Sequence, residues 1–263
     1  MVNVETGLLE TGVPYIRGGG GRQEAVVFFG ANALLRRLDK TSDPGRYARQ
    51  VSRLLPGHRF TILGYARSTF EEIVADMAAS ILTPPAVVLG ISFGGFVAMR
   101  LAARHPELVR RLVLLVSAHR FSPGGRRIME RQFDALERGD FRSLVRENTL
   151  LFRRPWYNGL ARLKLWKNGN RLTTDFREPT AILHDYRQLF GPDFKNNAEF
   201  GRRIVSPTLV IGGTADQLFD RSAFEETTGL IPGARIHLFE GETHMLPIEK
   251  SDEVGGAIKG FLV

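Results

Sequence analysis

The chain has 263 residues, 43% of them hydrophobic and 24% charged, which excludes a disordered or fibrous protein and leaves room for one α/β domain with an insertion. It contains no cysteine, so disulfides, thiolate metal centres and cysteine nucleophiles are excluded. The net charge of +8 lies wholly in the middle of the chain: residues 119–203 hold 18 Lys/Arg against 10 Asp/Glu, and the remainder holds 18 of each sign.

No apolar run approaches the roughly 20 residues that cross a bilayer. The opening MVNVETGLLE has neither a basic n-region nor an apolar core. A cytoplasmic protein with no secretory leader and no membrane partner is therefore expected. In chain order, the first feature is GLLETGVPYIRGGGGRQEAVVFFG, where glycines 18–21 between two extended runs predict a hairpin and antiparallel first strands. Buried strands are then predicted at EAVVFFG (24–30), HRFTILGY (58–65), AVVLGI (86–91), VRRLVLLVSA (109–118), PTLVIGG (207–213) and ARIHLFE (234–240). Runs that are apolar on both faces suit a parallel sheet covered by helices.

Helical segments alternate with these strands. SDPGRYARQVSRLLPG has Ser42/Asp43 as a cap, Pro44 in the first turn and Gly57 past the end. STFEEIVADMAASIL opens on the capping-box spacing Ser68-x-x-Glu71. GGFVAMRLAARHPE and SDEVGGAIKGFLV follow further on. Such alternation means βαβ units and a mostly parallel α/β sheet.

Residues 119–203 break the pattern. Apolar residues recur there at helical spacing: Met129, Phe133 and Leu136; Phe141, Leu144 and Val145; Ile182, Tyr186, Leu189 and Phe190. The segment also holds 12 of the 25 aromatic residues, Trp156 and Trp166 among them. It reads as a helical cap inserted between two strands. Its positive charge is either a solvated surface or a device that steers an anionic substrate. No finger, recognition helix or RNA-binding motif accompanies the charge, so nucleic acid is not an expected partner.

The chemistry centres on Gly90-Ile91-Ser92-Phe93-Gly94, which satisfies G-x-S-x-G between a buried strand and a helix. A serine raised on such a turn sits in a strained backbone, and small neighbours let strand and helix approach around it. A hydroxyl needs a base, and the base needs a carboxylate to fix its tautomer. Two residues downstream meet those needs. Asp216 lies in the loop after one predicted strand, and His244 in the loop after the next. Strand ends of an open α/β sheet are where ligands bind, and Ser…Asp…His is the chain order of an α/β-hydrolase.

With those residues in place, the chain resembles the α/β-hydrolase superfamily, close to its small capped esterase and lactonase branches. GISFGGFVAMRLAARHPELVRRLVLL, PTLVIGGTADQLF and GARIHLFEGETHMLPIEKSDEV are similar to the family's nucleophile elbow, acid loop and histidine loop. The resemblance implies a core at 1–118 and 204–263, matched from about residue 10, and a cap at 119–203 that resembles no named cap. It implies Ser92 as nucleophile, His244 as base and Asp216 as the orienting acid. Asp220 follows in the same loop but does not stand at the G-x-x-D position counted from Gly213. Glu249 and Asp252 suit the last helix, His105 a helix end and His237 a strand, while His58 and His184 carry no signal. His119 follows a strand end at the cap and is a candidate pocket residue.

Two backbone donors are needed for a developing oxyanion. Phe93 N–H is the first, and Ala31 N–H, in the loop after VVFFGANAL's strand, is the second candidate. Relatives often read His-Gly there; this chain reads Phe29-Gly30-Ala31-Asn32, so the bracing of the loop is open and Asn32 is a further candidate. A serine at the elbow excludes haloalkane dehalogenases and epoxide hydrolases, which carry aspartate. The expected reaction is hydrolysis of an ester, lactone or thioester of a small, largely apolar substrate, without metal or organic cofactor. Acyl transfer, lyase or carbon–carbon bond hydrolase chemistry on the same triad stays open, as does a non-catalytic ligand sensor.

Overall fold

A computed structural model describes residues 4–41, 43–149, 151, 159, 160, 163, 177–190 and 197–263. Among these, eight strands form one sheet: β1 (Glu5–Leu8), β2 (Pro14–Gly19), β3 (Gln23–Phe28), β4 (His58–Leu63), β5 (Ala86–Ile91), β6 (Val109–Leu115), β7 (Thr208–Gly213) and β8 (Arg235–Phe239). Their order is β1-β2-β4-β3-β5-β6-β7-β8. The β1–β2 and β2–β4 pairs are antiparallel and the rest parallel. All six predicted strands form. The central β5 is buried along its whole length, as expected of a strand apolar on both faces.

The predicted hairpin forms elsewhere. The tight turn lies between β1 and β2, closed by Leu9 N–H on Val13 O (2.9 Å) and Gly12 N–H on Leu9 O (2.8 Å). Glycines 18–21 carry the chain from β2 across the start of β4 to β3, which lies on β4's other side. A Cβ at Gly21 would fall on the Gly57 carbonyl, so the crossing has no room for a side chain. Glycine here serves close approach of two backbones rather than a turn.

The described helices are α1 (Asn32–Leu35), α2 (Pro44–Leu54), α3 (Phe70–Ser80), α4 (Phe93–Arg104), α5 (Pro123–Glu137), α6 (Phe141–Thr149), α7 (Pro179–Phe190), α8 (Ala198–Arg203), α9 (Arg221–Leu230), α10 (Leu246–Glu249) and α11 (Ser251–Leu262). The Asp43 carboxylate caps α2 by accepting Arg46 N–H at 3.0 Å; Ser42 lies outside the described residues. The capping box of α3 is displaced by one residue from the predicted Ser68/Glu71 pair. Thr69 Oγ1 accepts Glu72 N–H at 3.3 Å and donates to Glu72 Oε2 at 2.8 Å. Ser68 is thereby free to bond elsewhere.

Right-handed crossovers place the helices. The chain steps from β3 to β4 in one direction through α2, then returns past β3 to β5 through α3 and continues that way to β8. Opposite steps require opposite faces. Accordingly α2 packs against α11, and α4 packs against α3 and α8. A Cβ at Gly255 of α11 would fall on the Arg53 carbonyl of α2.

Between β6 and β7 the described residues form helices α5 to α8. Met129, Leu136, Leu144, Ile182, Tyr186 and Leu189 are buried, as their helical spacing predicts. The two ends of this stretch are stitched together: Asn197 N–H donates to His119 O (2.7 Å), and Asn197 Nδ2 donates to Phe96 O of α4 (3.1 Å). Trp156 and Trp166 lie outside the described residues.

Candidate active site

The connections of adjacent strands β3 and β5 leave in opposite directions, which makes the crevice between their carboxyl ends the sheet's switch point. Ser92 follows β5 and Gly30-Ala31-Asn32 follows β3, so both meet at that crevice. Ser92 has φ 53° and ψ −119°, a left-handed conformation that a serine rarely adopts. The strain is held from both sides. Ser92 N–H donates to Leu115 O of β6 (3.0 Å), and Ser92 O accepts Gly95 N–H (2.9 Å). The glycines are a packing requirement: a Cβ at Gly90 would come within 2.7 Å of Gly95 Cα, and one at Gly94 would fall on the Phe28 carbonyl. Ser92 stays half-exposed while Phe93 through Ala103 are buried.

His244 joins the other two residues. Its Nε2 lies 2.9 Å from Ser92 Oγ and its Nδ1 lies 2.9 Å from Asp216 Oδ2. Asp216 Oδ1 accepts Leu218 N–H (2.8 Å) and Phe219 N–H (3.1 Å), so both carboxylate oxygens are satisfied although the residue is buried. An acceptor-only carboxylate at Nδ1 selects the Nδ1–H tautomer and leaves Nε2 to accept from the serine hydroxyl. The two loops that carry His244 and Asp216 are zipped together. Thr214 N–H donates to Phe239 O (3.1 Å), Ala215 N–H to Glu242 O (2.9 Å) and Gly241 N–H to Thr214 Oγ1 (2.8 Å).

The two candidate backbone donors lie beside Ser92, one in the chain and one in space. Phe93 N–H opens α4 and has no acceptor within the helix. The loop after β3 lies directly against the serine: a Cβ at Gly30 would sit 3.4 Å from Ser92 Cβ and 3.7 Å from its Oγ. Gly30 O accepts Ala33 N–H (3.0 Å). In a trans peptide the N–H points opposite to the C=O, so Ala31 N–H is directed off the start of α1.

Of the remaining candidates, Asn32 is exposed as the first residue of α1. The ring of His119, the candidate pocket residue, packs against α9: Nδ1 lies 3.0 Å from Thr227 Oγ1 and Nε2 3.6 Å from Glu226 Oε2. A buried imidazole needs polar partners at both nitrogens, and α9 offers them. Burial, with Arg120 adding to it, holds His119 below the ordinary histidine range. Asp220 caps α9 by accepting Ala223 N–H at 2.9 Å, a duty distinct from Asp216's. Glu249 lies in α10 and Asp252 in the first turn of α11; His105 ends α4 and His237 lies exposed in β8. His58 begins β4 and His184 is exposed on α7. Among the described residues no group of three or more His, Asp or Glu is placed to hold a metal ion.

Aromatic rings line this end of the sheet. Phe190 of α7 meets the Phe93 ring edge-on at 5.2 Å, and Phe121 stacks on Phe219 at 5.2 Å. One residue that sequence reasoning missed is Tyr65, past the end of β4, whose hydroxyl donates to Phe29 O at 2.6 Å. Nothing in its local sequence marks it, because its partner is 36 residues away.

Comparison with known proteins identifies the family of this fold. The sequence model of the family described as alpha/beta hydrolase fold matches residues 39–251. A pimeloyl-[acyl-carrier protein] methyl ester esterase of Xanthomonas axonopodis is 27% identical over 79% of this chain and 82% of its own. A 2-hydroxymuconate semialdehyde hydrolase of Pseudomonas putida is 29% identical over 66% of this chain and 61% of its own. The enol-lactonase of Burkholderia xenovorans superposes with a TM-score of 0.75 at 19% identity, covering 98% of this chain and 99% of that one. The chain belongs to the α/β-hydrolase family, and it is an enzyme of the hydrolase class. No described helix is long and apolar enough to cross a membrane.

Proposed function

We propose that the chain is a serine hydrolase that cleaves an ester, lactone or thioester of a small, largely apolar substrate through an acyl-enzyme. The observation that carries this reading is the single imidazole of His244 bridging Ser92 Oγ and Asp216 Oδ2 at 2.9 Å each. Ser92 Oγ attacks the carbonyl carbon as His244 Nε2 takes its proton, and Asp216 stabilises the resulting imidazolium. The carbonyl oxygen becomes an oxyanion facing the Ala31 and Phe93 N–H groups. His244 returns the proton to the leaving alcohol, enol or thiol. Water then attacks the acyl-enzyme, His244 again accepting a proton, and the acid departs with Ser92 restored.

The described helices between β6 and β7 act as a cap over this site, with Phe190 and Phe121 as its apolar ceiling. The 18 cationic side chains against 10 anionic ones in residues 119–203 favour substrates that carry a carboxylate. The relatives named for a methyl ester and an enol-lactone make carboxylic esters and lactones the first substrates to try. A fluorophosphonate should label folded protein at Ser92 with unit stoichiometry, and absence of labelling removes the reading. In a panel of acyl esters, lactones and thioesters, kcat/KM for an anionic substrate should fall as salt rises while its neutral analogue's stays level.

A further inference from the structure

The donor loop between β3 and α1 lacks the histidine that often braces it in related sequences, yet both of its ends are held. Upstream, Tyr65 Oη donates to Phe29 O at 2.6 Å. Tyr65 is buried, and its ring meets the Phe93 ring edge-on at 5.1 Å, so one side chain touches both Phe93, whose N–H is one donor, and Phe29, two residues before Ala31, the other. Burial pushes its phenol well above the ordinary tyrosine range, which keeps it a proton donor across the working pH range. Downstream, Arg177 grips the end of α1: its N–H donates to Leu35 O (2.8 Å) and its Nη1 to Leu34 O (3.1 Å). The same Nη1 pairs with Asp185 of α7 at 2.5 Å, and Asp185 Oδ1 accepts from Ser68 Oγ at 2.5 Å. Asp185 is only 2% exposed, so this is a built anchor rather than a surface ion pair.

We propose that Tyr65 and Arg177 are positioning residues for the oxyanion step: they clamp the Ala31 donor loop at its two ends, and Asp185 ties the second clamp to helix α7. The proposal rests on the serine-hydrolase reading. Its physical basis is preorganisation. A donor contributes to the rate only if its N–H already points at the oxyanion, and a peptide unit free to rotate loses that advantage. A misplacement of about 1 Å costs up to about 100-fold in rate. The clamp also makes donor geometry depend on α7, so the oxyanion site is complete only when that helix is seated.

Tyr65→Phe keeps the ring and removes one hydroxyl. The neutral pair Arg177→Met/Asp185→Asn removes the side-chain part of the second clamp, leaving only the backbone bond from Arg177 N–H to Leu35 O, and leaves no buried charge unpaired. Active sites are counted by fluorophosphonate titration, and kcat per titrated site is measured on a p-nitrophenyl ester beside the affinity for phenyl trifluoromethyl ketone, whose tetrahedral adduct places an oxyanion at the donors. For Tyr65→Phe, kcat per site should fall about 10- to 100-fold with KM within about twofold, and ketone affinity should fall in proportion. The double variant should show the same signature at about 10-fold. A residue that merely supported the fold would lower the number of titrated sites or Tm and leave kcat per site unchanged. Wild-type kcat per site and ketone affinity in Tyr65→Phe overturn the clamp. If the wild-type enzyme itself does not titrate at Ser92, the serine-hydrolase reading falls first and the clamp with it.

Discussion

The loops after β7 and β8 and the loop after β3 flank the same serine but are fixed by different means. The first two hold each other through backbone bonds between residues a few positions from Asp216 and His244, such as Ala215 N–H on Glu242 O. The third is held from elsewhere in the chain: by the Tyr65 side chain of the β4–α3 connection, and by Arg177 ahead of α7 through its guanidinium as well as its backbone N–H. Backbone zippering is indifferent to most side-chain changes. Side-chain bracing can be lost with one substitution. The acid–base half of the site is therefore the robust half, and the donor half is the one that a change in α7 reaches.

Substitutions can break this comparison, beginning with the largest effect. Ser92→Ala and His244→Ala should each lower kcat by about 10⁶-fold, since members of a triad act as a unit. Their Tm should stay within a few degrees of wild type, and retention of most turnover in either sinks the triad. Asp216→Asn should cost about 10⁴-fold through loss of the correct tautomer. Asp220→Asn is the contrast in the same loop: near-wild-type turnover is expected, and a rate loss as deep as Asp216's would reassign the acid.

A middle-sized effect tests the donor half. Asp185→Ala strands the Arg177 guanidinium and the Ser68 hydroxyl, and denaturant unfolding should report a loss of about 3 kcal/mol. A loss indistinguishable from a surface ion pair, below about 1 kcal/mol, would show that α7 is not anchored through this residue.

The smallest effect concerns pH. His119 is held below its ordinary value of 6.5, so in acid the unfolded chain binds its proton before the folded one does. Its contribution to stability is complete above that value and declines as pH falls through it. His119→Gln should flatten the stability–pH curve below about pH 6.5 relative to wild type. An unchanged curve would show that His119 takes no part.

The elements legible in the sequence share one property: their signals are local. Six strands were marked by contiguous apolar runs, the elbow by the glycines around Ser92, and Asp216 and His244 by position after a strand. The misplaced features were those decided by distant partners. Glycines 18–21 look like a hairpin because nothing nearby shows that β4 lies beneath the crossing. Ser68 looks like a helix cap because its bond to Asp185 spans 117 residues. The contacts of His119 with Thr227 and Glu226 of α9 have no local signal for the same reason.

The sequence by itself determined the α/β alternation, the helical run between two strands and the candidate residues Ser92, Asp216 and His244 in their order, because backbone sterics and hydrophobic periodicity are written in short windows. Only the tertiary structure decided which hydroxyl and which guanidinium brace the donor loop. Those bonds link Tyr65 to Phe29 and Arg177 to Leu34 across 36 and 143 residues, and a hydrogen bond leaves no periodic trace in the chain that makes it.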